Sequence, residues 1–358
     1  MPKDVSANLD FLRAVAVLLV LGQHLARRIN PASVAPLTYI GTFGVLIFFV
    51  HTSLVLMYSM QRSGLRGRLL LKDFYIRRIF RIYPLSILAV TAALALHLDS
   101  GVNGIPGLSH GPFPGVKTVV CQYLLVQNLF HMGSIVNVLW SLPFELQMYV
   151  LLPFLFVWVE RKRSWWQLLA LWGASLFCAW AQPHVFFLSR VSLLRFVPCF
   201  LPGIIAFALP RTARLKALLW PVFIFGLVVA YALIPGLETG WFLCFLLGLG
   251  IPHFQEIQTS WVRFISNRIA TYSYGIYISH QFCIWFAFDK LARQSAWLRF
   301  GILAVLLVVI PILLYYCIEK PMIRMGIRLA ARGRKKSPVP LAPSNASSPQ
   351  ESVAEQAG

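Results

Sequence analysis

Residues 9–26 read LDFLRAVAVLLVLGQHLA, an apolar run in which Asp10, Arg13, Gln23 and His24 are the strongly polar side chains. A helix needs about 20 mostly apolar residues to cross a bilayer, so this stretch is long enough either to span or to serve as a secretion signal. Its two charges, the lack of a small-residue cleavage site and the apolar stretches that follow favour an uncleaved first span. Within that helix Arg13 and His24 are eleven residues apart. That places them roughly 16 Å apart along the axis and within about 20° of one face.

The same reading extends along the chain. Of its 358 residues 58% are hydrophobic and 12% are charged, and mean hydropathy is +0.70. Soluble domains hold about a quarter charged residues, so this much apolar surface requires a non-aqueous solvent. Candidate spans are 9–26, 39–60, 82–98, 138–158, 165–181, 191–209, 219–235, 239–254, 269–288 and 299–318. The expected fold class is therefore an all-α integral membrane protein of about ten transmembrane helices. Residues 118–132 are apolar but short and carry Gln122, Gln127, Asn128 and His131. They are expected to lie at the outer interface or to re-enter, beyond a Gly-, Pro- and Ser-rich loop at 99–117.

A net charge of +20 would suggest nucleic-acid binding in a soluble protein. Distribution argues otherwise. With the N-terminus inside, 23 of the 32 basic residues fall in inner segments, notably 61–81, 161–163, 211–216 and the stretch after 319. Cytoplasmic loops collect Lys and Arg, so both termini are expected to be cytoplasmic and no nucleic-acid partner is expected. Seven basic residues fall in outer loops. The six cysteines are scattered singly and suggest neither a disulfide framework nor a metal site. The chain divides into a membrane domain at 1–325, a basic cytoplasmic segment at 326–336 and a disordered cytoplasmic tail at 337–358, the last rich in Ser, Pro, Ala and Gln.

Ionisable groups inside a span are costly and mark functional candidates. Besides Arg13 and His24, Arg78 and Arg81 share a face at the opening of the third span, where arginine suits forked recognition of phosphate. Positive-inside charge alone would also produce such a cluster. Glu145 begins the fourth span in the run Trp140-Ser141-Leu142-Pro143-Phe144-Glu145, with Tyr149 one turn deeper. His280 closes the run Tyr272-Ser273-Tyr274-Gly275-Ile276-Tyr277-Ile278-Ser279-His280. Snorkelling of Arg13 and interhelical hydrogen bonding by the two histidines are the plainer accounts. Taken together, the spacing puts His24, Glu145 and His280 in the outer half and the three arginines near the inner mouth.

These residues resemble the membrane acyltransferase type 3 family, which includes O-antigen acetylases and nodulation-factor acetyltransferases. Arg13 to His24 looks like its Arg-x10-His signature, and Arg78-x-x-Arg81-Ile82-Tyr83-Pro84 is similar to its Arg-x-x-Arg element. Trp140-Ser141-Leu142 with Glu145 resembles its Trp-Ser-Leu-x-x-Glu block. Ser273 to His280 and Glu319-Lys320-Pro321 fit its later motifs. The likeness covers roughly 8–325. It departs at Phe48-Phe49-Val50-His51-Thr52-Ser53, where the family shows Phe-Phe-x-x-Ser-Gly-Phe.

The resemblance implies acetyl-CoA or a related acyl-CoA as donor substrate, no permanently bound cofactor, and a carbohydrate hydroxyl as acceptor. It implies catalytic roles for His24 and Glu145, and substrate contacts from Arg13, Arg78, Arg81, Trp140, Ser141, Tyr149 and His280. It also implies a bacterial inner-membrane location among membrane lipid. The chain shows no outer esterase-like domain of the kind some members carry, so it is expected to work alone or with a separate periplasmic acyl-handling protein. The competing readings are a transporter of a glycan or lipid-linked intermediate and, more weakly, a receptor or scaffold. Paired, similarly interrupted helices in two halves, which would favour a transporter, are not evident.

Overall fold

The structure, a computed structural model, describes residues 6–30, 37–98, 114–162 and 165–335. The tail at 337–358 and most of the 99–117 loop lie outside the described residues. Thirteen α-helices are described: α1 (Ala7–Ile29), α2 (Leu37–Ser63), α3 (Gly67–Ala95), α4 (Val116–Leu124), α5 (Leu142–Lys162), α6 (Trp165–Ala181), the single turn α7 (Phe186–Ser189), α8 (Val197–Ala208), α9 (Leu219–Leu233), α10 (Leu237–Gly250), α11 (Ser260–Trp285), α12 (Ala296–Leu314) and α13 (Lys320–Lys335). No strand occurs among the described residues, where one isolated bridge joins Leu215 to Phe254.

Among the described residues five helical stretches are long and apolar enough to cross a membrane: Ala7–Ile29, Tyr39–Ser63, Gly67–Ala95, Asn137–Arg161 and Ala296–Arg332. The other expected spans coincide with helices that are shorter or, in α11, more polar. Residues 118–132 break into α4 and a single 3₁₀ turn at Gln127–Phe130, because Leu125 adopts a left-handed conformation (φ 54°). Nine residues of helix rise only about 13 Å, too little to cross.

Two boundaries differ from the sequence reading. The third span does not begin at 82: helix starts at Gly67, after left-handed Gly64 and Gly67, so most of the expected basic loop 61–81 is helical. The reason is a helical stripe that the charges obscure, with Leu70, Asp73, Phe74, Ile82, Leu85 and Ala89 all buried. The ninth span starts nine residues early, at Ser260. Most of the basic segment, up to Lys335, is helical. There α12 runs through a π-helical turn at Tyr315–Glu319 into α13.

Close backbone approach fixes the inner helices. A Cβ on Gly44 would lie 2.6 Å from the Ala16 carbonyl oxygen, and one on Gly203 2.2 Å from that of Val50. Small residues at such crossings let helices pack in a membrane without a hydrophobic drive between them. Ser53 adds a hydrogen bond from its hydroxyl to the Phe200 carbonyl (2.7 Å). Thus α2 is held between α1 and α8, with its polar His51 turned toward α1.

Candidate active site

The position of Arg13 is set from the start of α1. Ser6 caps that helix, accepting from Leu9 N–H, and donates its hydroxyl to Glu256 (2.7 Å). Asn8 receives the Ile257 N–H on its side-chain oxygen (3.0 Å) and donates to the Gln255 carbonyl (2.9 Å). With the helix start locked in register, Arg13 Nε donates to Ser273 Oγ of α11 at 2.7 Å.

Arg78 and Arg81 approach from α3. Arg77, on the neighbouring face, is taken up by Asp73 (2.9 Å). Arg81 pairs with Glu319, whose side chain is fully buried at the end of the π-helical turn. The Arg81 guanidinium also stands 5.7 Å from the centre of the Tyr274 ring. The Tyr274 hydroxyl donates to the carbonyl of Ile82 (2.7 Å), two residues before Pro84. The π-helical turn and α11 therefore hold the guanidinium that α3 supplies.

Arg13, Arg78, Arg81 and Tyr274 line a cavity of roughly 100 Å³ whose wall also includes Glu145, Tyr149, Ser141, Ser273 and His51. Tyr149 donates its hydroxyl to Glu145 at 2.8 Å. Ser141 lies 2.9 Å from the hydroxyl of Tyr277, which donates to the Val138 carbonyl at 2.7 Å. Three guanidinium groups thus meet two carboxylates, Glu145 and Glu319, and the ionised set carries one excess positive charge. In a low-dielectric interior such an excess strongly favours an anionic ligand. A second cavity of roughly 320 Å³ shares Arg13, His51 and Val55 with the first and extends past Asp10 and Tyr58 to Arg62 and Arg211. The two lie side by side along α1, with Arg13 and His51 in the wall of both.

His24 and His280 lie further along α1 and α11. His280 is fully buried, and its Nε2 is 3.3 Å from His24 Nδ1. Both Nδ1 atoms face main-chain carbonyls, Val20 at 2.9 Å for His24 and Ile276 at 3.0 Å for His280. A carbonyl can only accept, so each neutral ring carries its proton on Nδ1. His280 Nε2 is then an acceptor for the shared His24 proton. The lone pair of His24 stands on Nε2, pointing away from its orienting partners.

The cavity does not reach this pair. It ends at Tyr277, whose ring centre is 6.3 Å from that of His280. Glu145 bonds Tyr149 on the cavity wall, and the partner of His24 is His280. A carboxylate beside guanidinium groups is better compensated there than next to an uncharged ring. Trp140 is also not on the cavity wall. It packs against Phe144 and Phe196, with ring centres 6.1 and 5.7 Å away, in an aromatic cluster that supports the start of α5. Arg13, Arg78, Arg81, Ser141, Glu145 and Tyr149 are brought together, and His24 with His280 form a second group.

Two groups of the site, Glu319 behind Arg81 and His51 on the cavity wall, were not singled out from the sequence. Glu319 was noted only as part of a terminal motif, and its partner lies 238 residues away. His51 was noted only as a departure from a family pattern. The available signal was a histidine within the apolar run 43–57.

A family model described as an acyltransferase domain matches residues 6–316. No curated protein and no solved structure matches the chain.

Proposed function

This chain belongs to the acyltransferase type 3 family, and from that premise we propose that it moves an acetyl or other short acyl group from cytoplasmic acyl-CoA to a hydroxyl of an envelope or exported glycan. The observation that carries the reading is the buried cavity walled by Arg13, Arg78 and Arg81. A second cavity, lined by Arg62 and Arg211 at its far end, shares Arg13 and His51 with it. Guanidinium groups hold phosphate by short, charge-assisted hydrogen bonds, and the cavity leads up the bundle toward the imidazole pair. The five long apolar helices, with the shorter ones between them, form a ten-span bundle with both termini cytoplasmic, in a bacterial cytoplasmic membrane. Membrane lipid surrounds it, and a separate periplasmic protein is a compatible partner for the acyl group.

The chemistry follows from the histidine geometry. The acceptor hydroxyl gives its proton to His24 Nε2 as its oxygen attacks the thioester carbonyl carbon. The tetrahedral adduct collapses, the carbon–sulfur bond breaks, and the leaving thiolate takes the proton back from the imidazolium. His280, accepting from Nδ1, orients the ring throughout. Acid–base catalysis of this kind is worth about 10²–10⁴ in rate. Tyr277 stands between the cavity and the imidazole pair, so the acyl end of the donor must pass its ring to react. Glu145 and Tyr149 stay with the donor, where they order the arginines.

The test is purified protein in liposomes supplied with acetyl-CoA and envelope glycan. Acceptor-dependent release of free thiol, with the acetyl mass appearing on the glycan, is expected. Movement of glycan across the bilayer without thiol release would indicate a transporter instead.

A further inference from the structure

Lys and Arg are normally sparse on the outer side of a membrane protein. Yet five basic residues, Arg27, Arg28, Lys290, Arg293 and Arg299, fall on α1 just beyond His24 and around the α11–α12 connection, with Asp289 among them. By the topology above, these are five of the seven outer basic residues. We propose that this cluster receives the acceptor, and that the acceptor is an acidic saccharide bearing carboxylate or phosphate groups. The proposal rests on the acyl-transfer reading and names its second substrate by class.

The cluster is held in place rather than spread over mobile side chains. Arg28 follows His24 by four residues, one turn along the same face of α1. Its Nη2 donates to Asp289 Oδ1 (2.6 Å) and to the Phe288 carbonyl (3.4 Å). The guanidinium groups of Arg28 and Arg299 lie 5.9 and 5.5 Å from the centre of the same Phe288 ring. The Lys290 ammonium sits 5.1 Å from the centre of Trp285. Cation–π contacts orient a cation without neutralising it. Among the described residues Arg299 makes no ion pair, so its charge stays available to an incoming anion.

Position supplies the function. Arg28 lies one turn beyond His24 on α1 and pairs with Asp289, so an anion docked here lies at the same end of the bundle as the ring that takes the hydroxyl proton. Arginine forks match carboxylate and phosphate oxygens. A one-signed field at the mouth of a site also raises the capture rate of an oppositely charged substrate. A neutral glycan would gain nothing from this arrangement, while the protein would still bear its self-repulsion.

The experiment uses the full chain in phosphatidylcholine nanodiscs and two fluorescent probes that differ only in charge. One is oligogalacturonate; the other is the same oligosaccharide with its carboxyl groups reduced to alcohols. The acidic probe should bind about tenfold tighter or more, and the Arg293→Gln/Arg299→Gln variant should lose that preference while keeping the wild-type KM for acetyl-CoA. Arg293→Gln alone, at an exposed position, should lose part of it. Equal affinity for the two probes, or a preference untouched by the substitutions, overturns the proposal. So does a double variant that loses co-purified phosphatidylglycerol with unchanged saccharide affinity, because the cluster would then serve lipid headgroups. Acetyl-CoA turnover by the wild type, measured in parallel, tests the acyl-transfer reading separately.

Discussion

At the scale of single residues, the geometry divides the work between two imidazoles. His24 Nε2 holds the lone pair, and His280 Nε2 faces the Nδ1 that must carry the proton. Removing the second ring should therefore harm the reaction without touching donor binding. His280→Phe is expected to lower kcat by about 10- to 100-fold with the KM for acetyl-CoA unchanged. His280→Gln, which restores an acceptor, should recover part of the loss. Steady-state kinetics on both variants check this, and a KM effect as large as the kcat effect would count against it. Arg13 and His24 were legible as a pair because both lie on one helix, where eleven residues fix distance and face. The His24–His280 contact was not legible, since it joins residues 256 apart and depends on how α1 packs on α11.

At the scale of elements, the π-helical turn between α12 and α13 matters most. It ends on Glu319, whose buried carboxylate meets Arg81 of α3. Removing one partner of a buried ion pair costs about 3–5 kcal/mol, whereas replacing both by apolar groups can be neutral. Glu319→Ala should thus lower the thermal midpoint of the detergent-solubilised protein strongly. Arg81→Met with Glu319→Leu should regain most of that stability while still failing to bind donor, which separates structural from functional roles. The α2–α8 crossing gives a second case. Gly203→Val forces a side chain into the Val50 carbonyl and should cost about 1–3 kcal/mol or more, seen as a fall in the same midpoint. Charge misled the reading of α3, where the basic residues of 61–81 suggested a loop. They actually decorate a helix whose buried stripe passes through Leu70, Phe74 and Ile82. Apolar stretches were legible as helices because hydrophobic bulk is local; the helix starts of α3 and α11 were not, because polar residues there face protein.

At the scale of the whole molecule, the bundle has two unlike ends. One opens beside Arg62 and Arg211 into the cavities, and the other carries the imidazole pair and the cationic cluster. If the basic segments lie inside, Arg66→Cys in a cysteine-free background should react with an impermeant maleimide only after permeabilisation. Arg293→Cys should react in intact cells. Labelling of both from the same side would refute the topology. The grouping of the arginines in one cavity emerges only here, from the convergence of α1, α3, α5 and α11. Motif order along the chain gives the members of the site but not the wall that separates the cavity from His24.

Donor titration of acetyl-CoA turnover by wild type, His24→Ala and Arg81→Ala tests the central claim most directly. Donor held at the arginine cavity and proton removal at His24 together predict two different losses. His24→Ala should bind acetyl-CoA with wild-type affinity and transfer no acetyl group. Arg81→Ala should keep a kcat within several-fold of wild type with a KM raised by about tenfold or more. Wild-type turnover by His24→Ala, or an unchanged KM in Arg81→Ala, would contradict the account.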